Sequence, residues 1–369
     1  MNKNDSEQMT SLMLQNDQYV EAKSLENADI LIFNSCAVRE TAENRMFARM
    51  KDLVGRRKKA KKAVTLVLAG CVPQYEKESL LKAHPYIDII VGANSMEYLP
   101  SLLDHNSQTP QIMIKKNKDT SIIKSSPKRT PFDQAFIPIM FGCDNFCSYC
   151  IVPYTRGREV SRTKESILEE INALAGSGYK KLLLLGQNVN SYGQSLYSHY
   201  DFADLLVDIH ETPFIDEIDF MTSHPKDMSD KLISTLARLP KMGKEIHCPL
   251  QAGDDELLLA MNRHYSVADY IKLVTKIRKE IPDALISTDL IVGFPGETEA
   301  QFQNTVHAVK TLGFHRVIAA SYSPRKGTAA ANLPNQIAEK TKKRRLLELQ
   351  KAVQQYAFGK HPVEESKLL

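Results

Sequence analysis

Half of the chain's six cysteines lie in one stretch of eight residues, Cys143, Cys147 and Cys150. Spacings of four and three positions let one irregular loop direct three sulfurs at a common point. A structural zinc site needs four ligands, normally with a second Cys-x-x-Cys or a His pair, and neither lies nearby in the sequence. A cubane iron–sulfur cluster has four irons, so three cysteines leave one iron open to another ligand. The spacing therefore favours a catalytic iron–sulfur cluster over zinc or buried thiols.

Two further cysteines each follow an apolar run. Cys36 ends the run 29–36, Cys71 ends the run 63–71, and a third apolar run covers 87–94. Continuous apolar strands separated by amphipathic stretches predict a parallel sheet covered on both faces. Open α/β sheets bind ligands at the carboxyl ends of their strands, which is where both cysteines fall. Because free cysteine is often simply buried, a ligand-binding and a packing interpretation both stay open.

The cysteine-rich loop follows the first of six further strand candidates. Spacing of roughly 30 residues fits repeated right-handed βα units, and six units instead of eight favour an open barrel. The segment 104–134 is polar, has little apolar periodicity and is predicted to be a linker between two domains. The six predicted strands cover 136–140, 181–186, 217–221, 245–249, 285–292 and 316–322.

Composition is that of an ordinary soluble protein. The chain has 369 residues, 43% hydrophobic and 25% charged, with a net charge of +4 that permits an anionic partner without requiring one. No apolar run approaches the roughly 18 residues of a membrane span, and the N-terminus is not a signal peptide. We therefore expect a cytoplasmic protein without membrane association, whose thiols stay reduced and serve as metal ligands.

Several ordered motifs resemble the radical S-adenosylmethionine methylthiotransferases, from Met1 to about residue 350. The Cys-x-x-x-Cys-x-x-Cys loop has the aromatic Tyr149 directly before its third cysteine. Within the family, the segments after Cys36 and Cys150 are most similar to the branch that modifies N6-dimethylallyladenosine in tRNA. The resembling segments are 34–45, 69–74, 142–159, 184–193, 222–230, 249–265, 287–298 and 322–328.

The resemblance implies an α/β fold: an N-terminal parallel-sheet domain, then a partial (β/α)6 radical-SAM barrel. The expected parts are an N-terminal domain at 1–103, the linker at 104–134, a radical-SAM core at 135–350 and a tail at 351–369. That tail stands in place of the family's RNA-binding β-barrel, so we expect weaker tRNA affinity than in members that carry it. In the family, the core's cluster cleaves S-adenosylmethionine to methionine and a 5′-deoxyadenosyl radical.

The resemblance also assigns the cluster ligands. It implies that Cys143, Cys147 and Cys150 hold a 4Fe-4S cluster, and that Cys36 and Cys71 are two of three ligands of an auxiliary 4Fe-4S cluster. The first such cysteine lies in a strand that normally precedes Met1. We therefore expect an incomplete auxiliary cluster, an exposed edge of the N-terminal sheet, and S-adenosylmethionine cleavage with little methylthio transfer.

A set of strand-end residues matches positions near the cofactor in the family. The turn at Gly293 has an alternative interpretation as a plain strand–turn–helix junction capped by Thr298. Arg156, Arg158 and Arg162 are candidates for pairing with a cofactor carboxylate or RNA phosphate, the alternative being a solvated charged face. His224 and His247 receive no catalytic role, and Cys248 is interpreted as packing. The expected cofactor-binding residues are Tyr149, Arg156, Gly186, Gln187, Asn188, Ser287, Asp289 and Gly293.

The activity that the resemblance implies is methylthiolation at C2 of N6-dimethylallyladenosine next to the anticodon. Expected partners are the tRNA anticodon stem-loop, an electron donor such as flavodoxin or ferredoxin, and a sulfur donor. Two alternative substrates are a threonylcarbamoyl-adenosine in tRNA and a ribosomal-protein aspartate. An alternative of another class is a non-catalytic iron–sulfur or RNA-binding protein.

Overall fold

The computed structural model divides the chain into two compact units. The first unit contains residues 1–132, 141–143 and 151–173, and the second contains 133–140, 144–150 and 174–369. Two short segments after the predicted linker thus pack with the first unit, whereas the sequence predicted a single boundary near residue 135. The structure describes residues 1–15, 18–37, 40–59, 63–105, 109–116 and 134–357.

The first unit is built on a four-stranded parallel sheet of order β1-β2-β3-β4. Its strands are β1 (Ile30–Ser35), β2 (Thr65–Gly70), β3 (Ile89–Gly92) and β4 (Gln111–Met113). The three predicted apolar runs are confirmed as strands. β4 is a short strand inside the segment predicted as a linker, and residues 117–133 of that segment lie outside the described residues.

Apolar side chains cover both faces of this sheet, since β2 and β3 are almost wholly buried. One buried cluster includes Val67 and Ile90, and a separate one includes Leu31 and Leu66. The long helices are α1 (Asn2–Leu14) and α2 (Glu40–Lys59); the others are α3 (Cys71–Glu76), α4 (Ser79–Ala83), α5 (Leu99–Asp104), α6 (Val152–Thr155) and α7 (Lys164–Asn172). Two very short strands, β6 (Met140–Phe141) and β7 (Val160–Ser161), flank the cysteine-rich loop and α6 along the chain.

Six parallel strands form the second unit in chain order. They pair as β5-β8-β9 and β10-β11-β12. A parallel bridge between Ile218 and Met242, with the Gly243 N–H donating to the Ile218 carbonyl at 2.9 Å, joins the two groups. All six predicted strands are confirmed to within about two residues: β5 (Gln134–Pro138), β8 (Lys181–Leu185), β9 (Glu217–Phe220), β10 (Glu245–His247), β11 (Leu285–Val292) and β12 (Arg316–Ser321).

Helices alternate with these strands, as an open barrel requires. They are α8 (Phe202–His210), α9 (Asp230–Arg238), α10 (Asp255–Ala260), α11 (Val267–Glu280), α12 (Glu299–Thr311) and α13 (Glu339–Tyr356). Side-chain caps fix where most of them begin; Ser266 and Asp269 form a capping box on α11. In the part of the chain that the structure describes, no helix combines the length and apolar character needed to cross a bilayer.

The turn after β11 is a capped strand–turn–helix junction. Thr298 caps α12 through a capping box with Gln301, which confirms that part of the alternative interpretation of this motif. The Glu297 carboxylate accepts the Gly293 N–H at 2.7 Å and pairs with Arg345 of α13 at 2.6 Å, both side chains being buried. This ion pair fastens α13 to the turn.

Candidate active site

The second-unit part of the cysteine-rich loop, residues 144–150, is fastened to the chain that follows α10. The Ser148 N–H donates to the Met261 carbonyl at 3.0 Å, and the Ser148 hydroxyl donates to the Ala260 carbonyl at 2.8 Å. The Asn262 side-chain amide donates to the Phe146 carbonyl at 3.1 Å. Phe146 and Asn262 both have positive φ, 46° and 58°, so the loop keeps an irregular backbone shape by these bonds.

A buried guanidinium contacts the middle cysteine. Arg263 is 4% exposed, and its Nη1 donates to the Sγ of Cys147 at 3.3 Å. Its Nη2 donates to the Pro249 carbonyl at 3.0 Å, and its Nε to the Tyr265 hydroxyl at 2.9 Å. The sequence motif 249–265 contains Arg263, but its spacing gives no signal that this arginine reaches a cysteine 116 positions earlier.

The remaining residues of the predicted core site are placed as follows. Cys143 is buried in the first unit, where its N–H donates to the Gly157 carbonyl at 3.2 Å. Cys150 is partly exposed, and its N–H donates to the Cys147 carbonyl at 2.9 Å. Tyr149 lies near Arg263, and burial raises the pKa of its hydroxyl, which is therefore neutral.

The donor set fits an iron–sulfur cluster. No disulfide joins the six cysteines, all of which fall within the described ranges. In those ranges, no three His, Cys, Asp or Glu side chains converge as the ligands of one metal ion would. Cysteines of a cubane bind separate irons and need no such convergence, so an all-thiol loop suits a cluster better than a single zinc ion.

Unsatisfied polar atoms collect at the carboxyl ends of β8, β9 and β10. Such atoms are uncommon in native interiors and call for a ligand or water. At the Asn188 side chain the amide donates to Asp227 at 2.7 Å while the oxygen has no partner. Barrel enzymes bind substrates on this face, so the arrangement fits a polar cofactor such as S-adenosylmethionine. The atoms are Gln187 Oε1, Asn188 Oδ1, Asn190 Oδ1, His224 Nε2 and Gln251 Oε1.

His224 presents a neutral hydrogen-bond donor at this face. Burial is the main cause that lowers the pKa of His224 to about 2, and the charges of Arg263 and Lys226 act in the same direction. Its Nδ1 accepts the Lys226 N–H at 3.3 Å, so the hydrogen of the neutral ring lies on Nε2. The ring packs edge-on against Tyr265 with centroids 5.7 Å apart. Sequence reasoning gave this histidine no role, because burial cannot be read from an isolated His.

Two predicted cofactor-binding residues on β11 contact a histidine of β10. His247 Nδ1 lies 3.0 Å from the Ser287 hydroxyl, and its Nε2 lies 3.3 Å from the Asp289 carboxylate. Ser287 is fully buried, whereas Asp289 is about one-third exposed and can still reach a ligand. Cys248 is fully buried, and burial raises the pKa of its thiol to about 12, in agreement with a packing role.

The two predicted glycines lie at points of close approach. A Cβ on Gly186 would come within 2.6 Å of the Met140 side chain. A Cβ on Gly293, whose φ is +73°, would come within 2.4 Å of the Lys342 side chain of α13. Packing therefore accounts for both glycines, and their contact with a cofactor stays a prediction.

The first unit brings the ends of β1 and β2 together. Ser35 pairs with Gly70 in the parallel register, so Cys36 and Cys71 follow adjacent positions. The Ser35 hydroxyl donates to the Ala69 carbonyl at 2.7 Å and accepts the Val72 N–H at 3.2 Å. Gly70 has φ of +103°, and a Cβ there would come within 2.4 Å of the Ser35 carbonyl oxygen.

Of the three predicted arginines after the loop, Arg156 and Arg162 are buried, so the solvated-face alternative is wrong for them, whereas Arg158 is exposed. Arg156 pairs with Asp5 of α1 at 2.6 Å, and Arg162 pairs with Glu170 at 2.6 Å. Burial acts to lower the pKa of Arg156, but the Asp5 carboxylate and the Cys71 thiol outweigh it and raise the pKa. Arg156 thus belongs to the surroundings of Cys71.

Comparison with family models defines the class of the chain. Residues 137–309 match the Radical SAM superfamily, and residues 1–92 match Uncharacterized protein family UPF0004. The chain has a parallel barrel whose first strand leads into a three-cysteine loop, and the first of these models matches it. The chain is therefore a radical S-adenosylmethionine enzyme. The chain belongs to the family of tRNA-2-methylthio-N(6)-dimethylallyladenosine synthases, as its relatives establish.

Curated relatives with that name come from several bacteria. One from Clostridium botulinum is 41% identical, and the match covers 100% of this chain and 82% of the relative. One from Caldicellulosiruptor saccharolyticus is 44% identical over 98% of this chain and 77% of the relative. One from Clostridium perfringens is 41% identical over 100% of this chain and 83% of the relative. The branch predicted from the sequence is confirmed.

Solved structures share the fold. The radical S-adenosylmethionine methyltransferase TsrM from Kitasatospora setae has a TM-score of 0.61 at 13% identity, covering 82% of this chain and 66% of its own. The S-adenosylmethionine radical enzyme OxsB has a TM-score of 0.59 at 10% identity, covering 96% of this chain and 54% of its own. At these identities the likeness concerns the fold alone.

Proposed function

We propose that this transferase inserts a methylthio group at C2 of N6-dimethylallyladenosine in tRNA, next to the anticodon. The observation that carries the proposal concerns the second unit. There Arg263 donates to the sulfur of Cys147, and the barrel face has polar atoms without hydrogen-bond partners. The family's name supports the substrate. The C2–H bond is unactivated, so acid–base groups alone are poorly suited to it, and the site offers thiols instead.

The core cysteines would hold a 4Fe-4S cluster with one iron open to S-adenosylmethionine. When bound, the two groups supply the radical chemistry that an unactivated C–H bond requires. The chain itself contributes position, charge and exclusion of water. Arg263 would fix Cys147 and offset the thiolate charge, and the burial of Cys147 itself limits the access of water to its sulfur. The ligand residues are Cys143, Cys147 and Cys150.

The barrel face would orient the cofactor and the base. The oxygens of Gln187 and Asn188 can accept hydrogen bonds from an ammonium or amino group. The Nε2–H of His224 can donate to an acceptor such as a ring nitrogen. Because His224 stays neutral, it contributes a directed donor without adding a positive charge to the site.

An auxiliary 4Fe-4S cluster at Cys36 and Cys71 completes the proposal. The two cysteines follow paired strand ends, and Arg156 lies beside Cys71 to offset its charge. A cluster there would supply the sulfur that becomes the methylthio group, replenished by a sulfur donor. A flavodoxin- or ferredoxin-type protein would supply the electrons for the core cluster.

The test is anaerobic reconstitution of residues 1–369 followed by two product assays. Iron content and 5′-deoxyadenosine measure the core, and mass spectrometry of nucleosides from tRNA that lacks the methylthio group measures transfer. Cys147→Ala is the matched control and should lose the iron of the core cluster together with cleavage. Cleavage without transfer would support the core site alone and would contradict transfer by the auxiliary site. A brown protein without any cleavage would contradict the proposal and indicate a non-catalytic binder.

A further inference from the structure

Arg263 is buried without a carboxylate partner. In the part of the chain that the structure describes, its three donor contacts are the sulfur of Cys147, the Pro249 carbonyl and the Tyr265 hydroxyl. The Tyr265 hydroxyl in turn donates to the Leu250 carbonyl at 2.8 Å, and burial raises its pKa, so it is neutral. The sulfur is thus the one group among the three that carries a negative charge as a metal ligand.

Three other buried arginines in the described part of the chain have carboxylate partners. Arg156 pairs with Asp5, Arg162 with Glu170 and Arg345 with Glu297, each at 2.6 Å. A buried cation is strongly destabilising unless an anion balances it. Arg263 differs from these three arginines because a cysteine sulfur stands where they have a carboxylate, and this difference calls for a functional explanation.

We propose that Arg263 is a positioning residue that fixes the Cys147 ligand and favours the reduced state of the iron–sulfur cluster. This inference rests on the proposed function, because it requires a cluster at the core cysteines. A 4Fe-4S core with three thiolates formally carries one negative charge when oxidised and two after it accepts one electron from a low-potential donor. No bond forms or breaks in that step.

The direction of the effect follows from the charges. A fixed positive charge stabilises the doubly negative state more than the singly negative one, and hydrogen bonds to cluster sulfurs act in the same direction. Arg263 therefore raises the reduction potential. Its planar fork also ties Cys147 to Pro249, just after β10, which a lysine cannot do with the same geometry.

The test compares Arg263→Lys, Arg263→Gln and Arg263→Met with the unmodified protein after anaerobic reconstitution. Arg278→Gln is the control, since Arg278 is partly buried but donates to the Leu312 and Gly313 carbonyls at 2.7 and 2.8 Å. Iron and sulfide content give the loading. Redox titration with mediator dyes, followed by electron paramagnetic resonance, gives the potential without any substrate.

At a fixed applied potential, we expect the ratio of reduced to oxidised cluster in the Gln and Met variants to be at least tenfold lower than in the unmodified protein. Tenfold corresponds to a downward shift of about 59 mV for one electron. Arg263→Lys should lie between them and the unmodified protein, and Arg278→Gln should match the unmodified protein. A Gln or Met variant with full loading and an unchanged potential would overturn the inference.

If the Gln and Met variants contain no cluster, their potentials cannot be measured, and Arg263→Lys then tests the inference. If Arg263→Lys keeps its cluster and its reduction potential falls by less than the shift that corresponds to tenfold, the result supports the inference, because lysine keeps the positive charge. Loss of loading there as well, with unchanged circular dichroism, would overturn it. Failure of the proposed function is distinguishable, because the unmodified protein would then bind no cluster, or would bind one without cleaving S-adenosylmethionine, whatever the potentials of the variants.

Discussion

Replacing His224 with glutamine should change how the stability of the barrel depends on pH. His224 is 3% exposed, and burial is the main cause that lowers its pKa to about 2. In the unfolded chain a histidine has a pKa of about 6.5. Between these two values the unfolded chain binds a proton that the folded protein excludes.

The magnitude follows from this difference in proton binding. The folded state is at no disadvantage above pH 6.5, and it loses about 1.4 kcal/mol for each pH unit below that value. From pH 6.5 to pH 5.0 the loss is about 2 kcal/mol. Glutamine does not titrate, so the His224→Gln variant lacks this loss. Between pH 6.5 and pH 5.0, the free energy of unfolding of the unmodified protein should therefore fall by about 2 kcal/mol relative to that of the variant.

Urea unfolding at pH 7.5, 6.5 and 5.0 would measure this gap, with far-UV circular dichroism as the signal because the chain has no tryptophan. The exposed His199 provides the control variant, His199→Gln, whose gap should stay constant. NMR of ¹³C-labelled histidine would show directly whether the His224 ring titrates. Parallel pH dependences for the unmodified protein and His224→Gln, or a His224 resonance that moves near pH 6.5, would refute the reasoning.

Two further substitutions test how the site is supported. Glu297→Gln removes the buried one of the two carboxylates that pair with Arg345 and should cost about 3 kcal/mol in urea unfolding. Glu299→Gln removes the other carboxylate, whose side chain is 51% exposed, and should cost about 1 kcal/mol or less. A loss no larger for Glu297→Gln than for Glu299→Gln would contradict the buried pair. Gly70 has φ of +103°, and a Cβ there would lie 2.4 Å from a carbonyl oxygen, whereas Gly176 has φ of +78° and open space around it. Gly70→Ala should therefore be more destabilising than Gly176→Ala. Equal thermal shifts in the two variants would show that the strand ends relax freely.

Local sequence patterns predicted the strands of both units well. β1, β2 and β11 are apolar runs long enough to be recognised without their neighbours, and Cys36 and Cys71 were placed correctly at strand ends for the same reason. β4 escaped prediction because Gln111–Met113 has three residues inside a polar segment, and it forms by pairing with β3. A strand that depends on its neighbour has no local signal.

Contacts between distant residues escaped prediction altogether. Arg156 and Asp5 are 151 positions apart, and neither residue type nor spacing links them. The sequence placed Arg156 next to a cluster, but only the fold shows that Cys71 is the cysteine it adjoins. The neutral state of His224 was equally inaccessible, because it depends on burial.

The separation of Cys147 and Arg263 along the chain also has a consequence in time. Their side chains meet across 116 positions, so the ribosome makes the cysteine long before its arginine. At roughly 5–20 residues per second, the interval is about 6 to 23 s. During that interval the nascent loop also lacks Ala260 and Met261, the residues that fasten it. Its thiols are then open to oxygen, so stable cluster insertion has to wait until the chain has been made beyond residue 263.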